Sequence, residues 1–150
     1  MLYLILAFLP IIINGQVLTS DLSDVLNSNG SLIKYLKEES IPFNGNVFNY
    51  YPNGQKELQG IYDKGMKNGR WVWWYPNGNK KGIADVSSGT GQITMFSLDA
   101  SHFERFNVQN NKVFCNSGEI LFSIENVSKD STLPINDGTC DCADCSDESS

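Results

Sequence analysis

The chain holds a single histidine, His102, and only 11 lysines and arginines against 17 acids. One imidazole, with no serine or cysteine in a recognisable nucleophile motif, supplies neither a catalytic constellation nor a histidine-rich metal site, so a non-enzyme is expected. The sparse Lys/Arg content excludes the dense basic surface of a nucleic-acid reader. Cysteine is absent before Cys115, which removes the lipid-attachment residue of a bacterial lipoprotein precursor. Long hydrophobic runs are missing too. The longest, "LYLILAFLPIII" at residues 2–13, has twelve residues. Spanning a ~30 Å hydrocarbon core takes roughly 20, so no stable membrane span is expected.

What is present at that end fits the apolar core of a secretory signal peptide over residues 1–15, with cleavage after Gly15 leaving Gln16 first. A secreted or extracytoplasmic chain folds where thiols oxidise, so its four cysteines are disulfide candidates: Cys115, Cys140, Cys142 and Cys145. Cys140 and Cys142 stand too close for an unstrained mutual bridge, and Cys115 is expected to join one of the tail cysteines. Asn29-Gly30-Ser31 and Asn126-Val127-Ser128 form glycosylation sequons. About 135 residues after the signal suffice for one domain, or one small domain with a stapled tail. The net charge of −6 is unevenly spread: residues 137–148 hold five acids and no base, residues 43–82 six bases and two acids.

Internal repetition is the strongest signal. "NGNVFNYYPNG" at 44–54 realigns on "NGRWVWWYPNG" at 68–78 with a shift of 24 and six identities. A degraded third copy follows from Gly91, its Pro-Asn-Gly replaced. Each copy reads as a strand and a turn: aromatic and β-branched residues suit a pleated surface, and Pro-Asn-Gly suits a tight reversal. Alternation in "RWVWWY" puts Trp71, Trp73 and Tyr75 on one face and Val72 and Trp74 on the other. A return strand is expected around Leu58–Tyr62, with a second reversal at Asp63–Gly69.

The stretch from Phe43 to Gly82, with its Tyr-x-Asn-Gly turns, Gly-x-Trp strand start and aromatic pairs, resembles the MORN-type repeat over residues 42–100, in the divergent bacterial form of the YwqK antitoxin-like proteins. The resemblance implies an antiparallel meander of stacked β-hairpins that serves as an interaction surface and carries no catalytic constellation. On such a sheet Trp71, Trp73 and Tyr75 are either the repeat's own core or a platform for glycan, cell-wall polymer or protein.

The flanks read differently. Over residues 16–41, Leu18, Leu22, Val25 and Leu26, then Leu32, Ile33 and Leu36, fall at helical spacing, with Ser20 and Ser31 as N-caps, so one or two short N-terminal helices are expected. Residues 101–128 alternate about Asn110-Asn111 and read as further strands. The fold class is therefore mainly β.

Residues 129–150 close the chain with "INDGTCDCADCSDESS", an acidic cysteine-rich tail open to three readings. Four thiolates would suit zinc, though Cys115 lacks a near neighbour. Carboxylates pinned by bridges would suit calcium. Without cross-links the tail is solvated charge. Residues 113–148 resemble the LDL-receptor class A module and the cysteine-rich repeat of glucosidase II β-subunit-like proteins. That resemblance implies a calcium site on Asp137, Asp141, Asp147 and Glu148, although Cys145 stands where the module has glycine and no cysteine follows Glu148.

The expected function is that of a secreted, non-enzymatic β-repeat scaffold for a protein or cell-surface partner, displaying Lys56, Lys64, Lys67, Arg70, Lys80 and Lys81 with its aromatics. The alternatives are a calcium-binding cysteine-rich module on a repeat scaffold, and glycan or cell-wall binding through exposed aromatics.

Overall fold

The computed structural model describes residues 16–28 and 32–128. The described chain is mainly β: strands β1 (Gln16–Leu18), β2 (Leu22–Leu26), β3 (Leu32–Leu36), β4 (Gly45–Tyr50), β5 (Lys56–Asp63), β6 (Met66–Trp74), β7 (Lys80–Ser87), β8 (Thr90–Phe96), β9 (Phe103–Gln109), β10 (Lys112–Phe114) and β11 (Ile120–Ser123). Nine form one sheet in the order β1-β4-β5-β6-β7-β8-β9-β10-β11, and β2 and β3 form a separate pair. All neighbours from β4 to β11 are antiparallel, and β1 lies parallel to β4 with Val17 opposite Val47.

The reversals at one end are two-residue turns. Lys64 and Gly65, Ser88 and Gly89, and Asn110 and Asn111 all have positive φ, from 50° to 75°. Paired positive φ is the mark of the type I′ turn, whose twist matches that of the flanking strands. The Asn110-Asn111 reversal falls where the sequence puts it, whereas the first is tighter than Asp63–Gly69.

At the other end a wider turn recurs four times, the third of them one residue longer. The Tyr51 amide donates to Gln55 O at 2.8 Å and Gly54 N to Tyr51 O at 2.9 Å; Tyr75 with Asn79 and Gly78 repeats both bonds at the same distances. Ser97 donates to His102 O at 3.1 Å and receives from Ala100 N at 2.9 Å, and Cys115 pairs likewise with Glu119 and Gly118 at 2.9 and 3.0 Å. Asp99 replaces the Asn53 and Asn77 side chains: its Oδ1 accepts from Ser101 N at 3.0 Å, as Asn53 accepts from Gln55 and Asn77 from Asn79. A register shift precedes both Tyr51 and Tyr75, between Asn49 and Tyr50 and between Trp73 and Trp74.

The N-terminal helices are corrected by the structure. Leu22–Leu26 and Leu32–Leu36 are antiparallel strands, and Thr19–Asp21 is a single 3-10 turn. Leu22 is buried while Val25 and Leu26 are exposed, so the spacing that suggested one helical face does not describe one buried face. Cross-strand pairing replaces it: Val25 stands opposite β-branched Ile33, and Asp24 opposite Lys34, to which it is ion-paired.

The core lies on one face of the large sheet. Val47, Leu58, Tyr62, Trp71, Trp73, Ala84, Val86, Ile93, Met95, Phe106, Val108 and Val113 join there with Val17, Leu22, Phe122, Ile124 and Val127. This face is covered and the opposite, outer face carries the other half of each strand.

Candidate functional site

Trp71 and Trp73, 1% and 2% exposed, lie within that core. Their rings stack at 5.7 Å, and Trp71 Nε1 donates to Ile61 O at 3.0 Å. The Trp71 indole occupies the space above Gly60, where an added Cβ would meet ring carbon at 2.2 Å. Tyr75 does not share this position: it is half-buried, and its hydroxyl donates to Phe96 O at 2.8 Å. The three aromatics therefore do not make one exposed platform.

Lys67, 3% exposed, is the least expected member of the core. The sequence reads it as a displayed cation, and Lys81 likewise, but both are buried. The backbone alternation of β6 turns Lys67 to the same side as Trp71, and its Nζ stands 4.6 Å from the Trp71 ring centroid and 5.3 Å from that of Tyr62. It donates to Tyr62 Oη at 3.2 Å and to the Glu125 carboxylate, which a 3-10 turn, Ile124–Asn126, brings over the covered face. Burial lowers the lysine pKa, and Glu125 opposes that shift. Burial, then Glu125 and Asp24, raise the phenol of Tyr62. A cavity of about 330 Å³ adjoins this cluster, lined also by Asp24, Lys34, Asn49 and Glu57. Its polar groups are paired with one another: Asp24 with Lys34, Asn49 with Glu57, Lys67 with Glu125. The arrangement clamps the chain after β11 to β6.

His102 lies on an exposed turn, its Nδ1 2.7 Å from Ser101 Oγ, which also donates to Asp99 at 2.7 Å. Serine stands between acid and imidazole here, whereas a nucleophilic triad needs the imidazole in the middle. The bonds from Ser97 and Ser101 lower the Asp99 pKa and hold the turn.

The outer face is the open surface. Residues directly opposite one another share a face, so the register gives a row Gln59, Val72, Ile83, Thr94, Arg105 and a neighbouring row Arg70, Asp85, Gln92, Asn107. Phe96 and Phe103 pair at the edge of the first row with ring centroids 6.2 Å apart. Arg70, Ile83, Asp85, Thr94, Phe96, Phe103 and Arg105 line an open recess of about 530 Å³, and Arg70 and Val72 also border a second of about 230 Å³ with Ile61. Ile61 and Phe103 are 43% and 58% exposed. Beside it, Lys56 Nζ lies 5.5 Å from the Trp74 ring and donates to Gln59 at 2.8 Å. The sequence puts Val72 and Trp74 on the face opposite Trp71, but the rows need the strand register, which no single strand reveals.

At the wide-turn end, Tyr51, Tyr75, Pro76, Asn77, Lys81 and Leu98 border an apolar hollow of about 580 Å³. Tyr51 and Tyr75 present rings there, because their hydroxyls donate to Trp74 O and Phe96 O at 2.8 Å.

Cys115 is buried and disulfide-bonded, and its partner sulfur lies outside the described residues. So do Cys140, Cys142 and Cys145, the calcium candidates Asp137, Asp141, Asp147 and Glu148, and residues 1–15. Among the described residues no group of three or more His, Cys, Asp and Glu could hold a metal ion, and no helix is long and apolar enough to cross a membrane. No protein-family model matches the chain, and neither a curated protein nor a solved structure matches it.

Proposed function

We propose that the chain is a secreted, non-enzymatic scaffold of stacked, MORN-type β-hairpins whose outer sheet face contacts a protein partner. The observation that carries this reading is the row of half-buried Val72, Ile83 and Thr94 ending on exposed Arg105, with half-buried Phe96 and exposed Phe103 beside it, an apolar stripe edged by charge. A patch of this kind, apolar within and polar at its rim, suits recognition of another chain. The 24-residue recurrence supports the hairpin-repeat assignment: Tyr51 and Tyr75 make the same turn bonds and reach forward to Trp74 O and Phe96 O. Secretion rests on the apolar run at residues 2–13.

Photo-crosslinking tests the reading. A benzoylphenylalanine at Ile83 should give a discrete cross-linked protein in the native extracellular milieu, while the same group at Glu39, exposed in the connection after β3, gives none. Absence of a product at Ile83, or equal products at both positions, overturns it.

A further inference from the structure

The charge on the outer face runs against that of the whole chain. Among the described residues five cations stand on it: Lys56 over Trp74, Arg70 opposite Asp85, Lys80 opposite Trp74, Arg105 opposite Thr94, and Lys112 opposite Gln109. The strand alternation brings only Asp63 and Asp85 onto the same face, in a chain of 17 acids and 11 bases. The Arg70–Asp85 pair is loose, at 3.7 Å with the two side chains 62% and 68% exposed. A pair this exposed gains little from its contact, so Arg70 is readily shared with an incoming carboxylate.

The two arginines frame the apolar stripe. Arg70 is on β6 and Arg105 on β9, three strand spacings apart and one side-chain pair offset along the strands. With neighbouring strands about 4.8 Å apart and residues about 3.4 Å apart, the two positions are about 16 Å apart. An extended polypeptide covers that distance in about five residues, and because its side chains alternate, a separation of four, extended by the reach of the side chains, puts both ends on one face. Between the arginines lie Asp85, Ile83, Gln92 and Thr94, with Phe96 and Phe103 one side-chain row further along the strands, and all of these line the recess of about 530 Å³. A sulfated glycan or nucleic acid would satisfy the guanidiniums but offers no aliphatic side chain to fill that floor.

We propose, resting on the scaffold reading above, that the outer face binds an extended acidic segment of a partner protein. Two carboxylates four residues apart, which alternation puts on one side of the segment, meet Arg70 and Arg105, and the apolar side chain between them seats on Ile83 and Thr94 beside Phe96 and Phe103. Recognition is by charge complementarity at the rim and burial in the middle.

The test uses the full chain and a fluorescein-labelled peptide containing Glu-Ser-Leu-Thr-Glu, with a control in which both glutamates are lysine. Anisotropy titration should show the acidic peptide binding about tenfold more tightly or better, with that advantage falling below about threefold in the Arg70→Gln/Arg105→Gln variant. An acidic peptide that does not bind, or whose binding the double variant leaves unchanged, overturns the proposal. So does binding of heparin or of phosphatidylserine vesicles without binding of the acidic peptide. If the lysine peptide binds as tightly as the acidic one and Ile83→Asp abolishes both, the acidic partner is wrong and the scaffold reading stands. If neither peptide binds and the Ile83 photo-crosslink is also absent, both fall.

Discussion

The Lys67 ammonium, buried in β6, is ion-paired with the Glu125 carboxylate 58 residues further along the chain. This contact holds the segment after β11 against the covered face of the sheet. Removing one partner leaves the other charge in a site built for two. Glu125→Ala should therefore cost about 3–5 kcal/mol, while Lys67→Met with Glu125→Leu should cost far less, because no charge remains to be desolvated. Urea unfolding of the three proteins measures this. Equal losses in the single and the double variant would show that the ion pair is not what holds the segment.

The same cluster gives stability a defined pH dependence. Burial lowers the Lys67 pKa below its ordinary value of 10.5, so the folded chain releases this proton earlier than the unfolded chain. Between the two values the unfolded state holds more protons, and stability rises with pH. Tyr62 acts in the opposite direction: its folded pKa is raised above 10.0, so above that pH the unfolded state loses a proton the folded state keeps, and stability falls. Unfolding free energies measured from neutral pH upward should climb toward pH 10 and then decline. Lys67→Met should remove the climb and Tyr62→Phe should soften the decline; unaltered profiles in both variants would contradict the assignment.

The forward reach of the two tyrosines is testable as a matched pair. Tyr51 Oη donates to Trp74 O and Tyr75 Oη to Phe96 O, both at 2.8 Å. Tyr51→Phe and Tyr75→Phe should each cost about 1 kcal/mol, since each deletes one hydrogen bond and leaves a carbonyl unsatisfied. Thermal unfolding of the single and double variants reads both losses. A loss at one position and none at the other would mean that the two turns are not equivalent.

Trp71 fixes the identity of residue 60. An added methyl at Gly60 would lie 2.2 Å from the indole, whereas at Gly82 it would meet Met95 Sδ at 3.0 Å, a flexible neighbour. Gly60→Ala should cost about 3 kcal/mol or more and Gly82→Ala about 1. Chemical denaturation ranks them, and an equal or reversed order would place the indole elsewhere. Loss of the near-UV circular dichroism of the stacked Trp71–Trp73 pair in Gly60→Ala would be the accompanying spectroscopic change.

Particular residues show what was readable beforehand and what was not. Pro52-Asn53-Gly54 and Pro76-Asn77-Gly78 announce their turns because local chemistry alone sets them. The next such turn, at Leu98-Asp99-Ala100, hides because aspartate replaces asparagine and Ala100 takes a φ of 60° without a glycine. Residues 18–36 misled for a different reason: a short run of leucines fits helical and strand periods alike, and pairing with a neighbour decides between them. The partnership of Lys67 with Glu125 had no local sign, since a lysine among aromatics reads as a surface residue until a distant carboxylate is brought beside it. The outer-face rows depend on register across up to five strands, which is a property of the assembled sheet.

The tyrosine hooks have a consequence for how such a chain changes length over generations. Each grips only the strand end before the next wide turn, 23 residues on for Tyr51 and 21 for Tyr75, and asks nothing of more distant parts. Duplicating or deleting one 24-residue unit would move the two ends of the array apart or together by a fixed step and leave every remaining hook intact. Reach then becomes a heritable quantity adjustable in whole steps, separately from the side chains that decide what is touched.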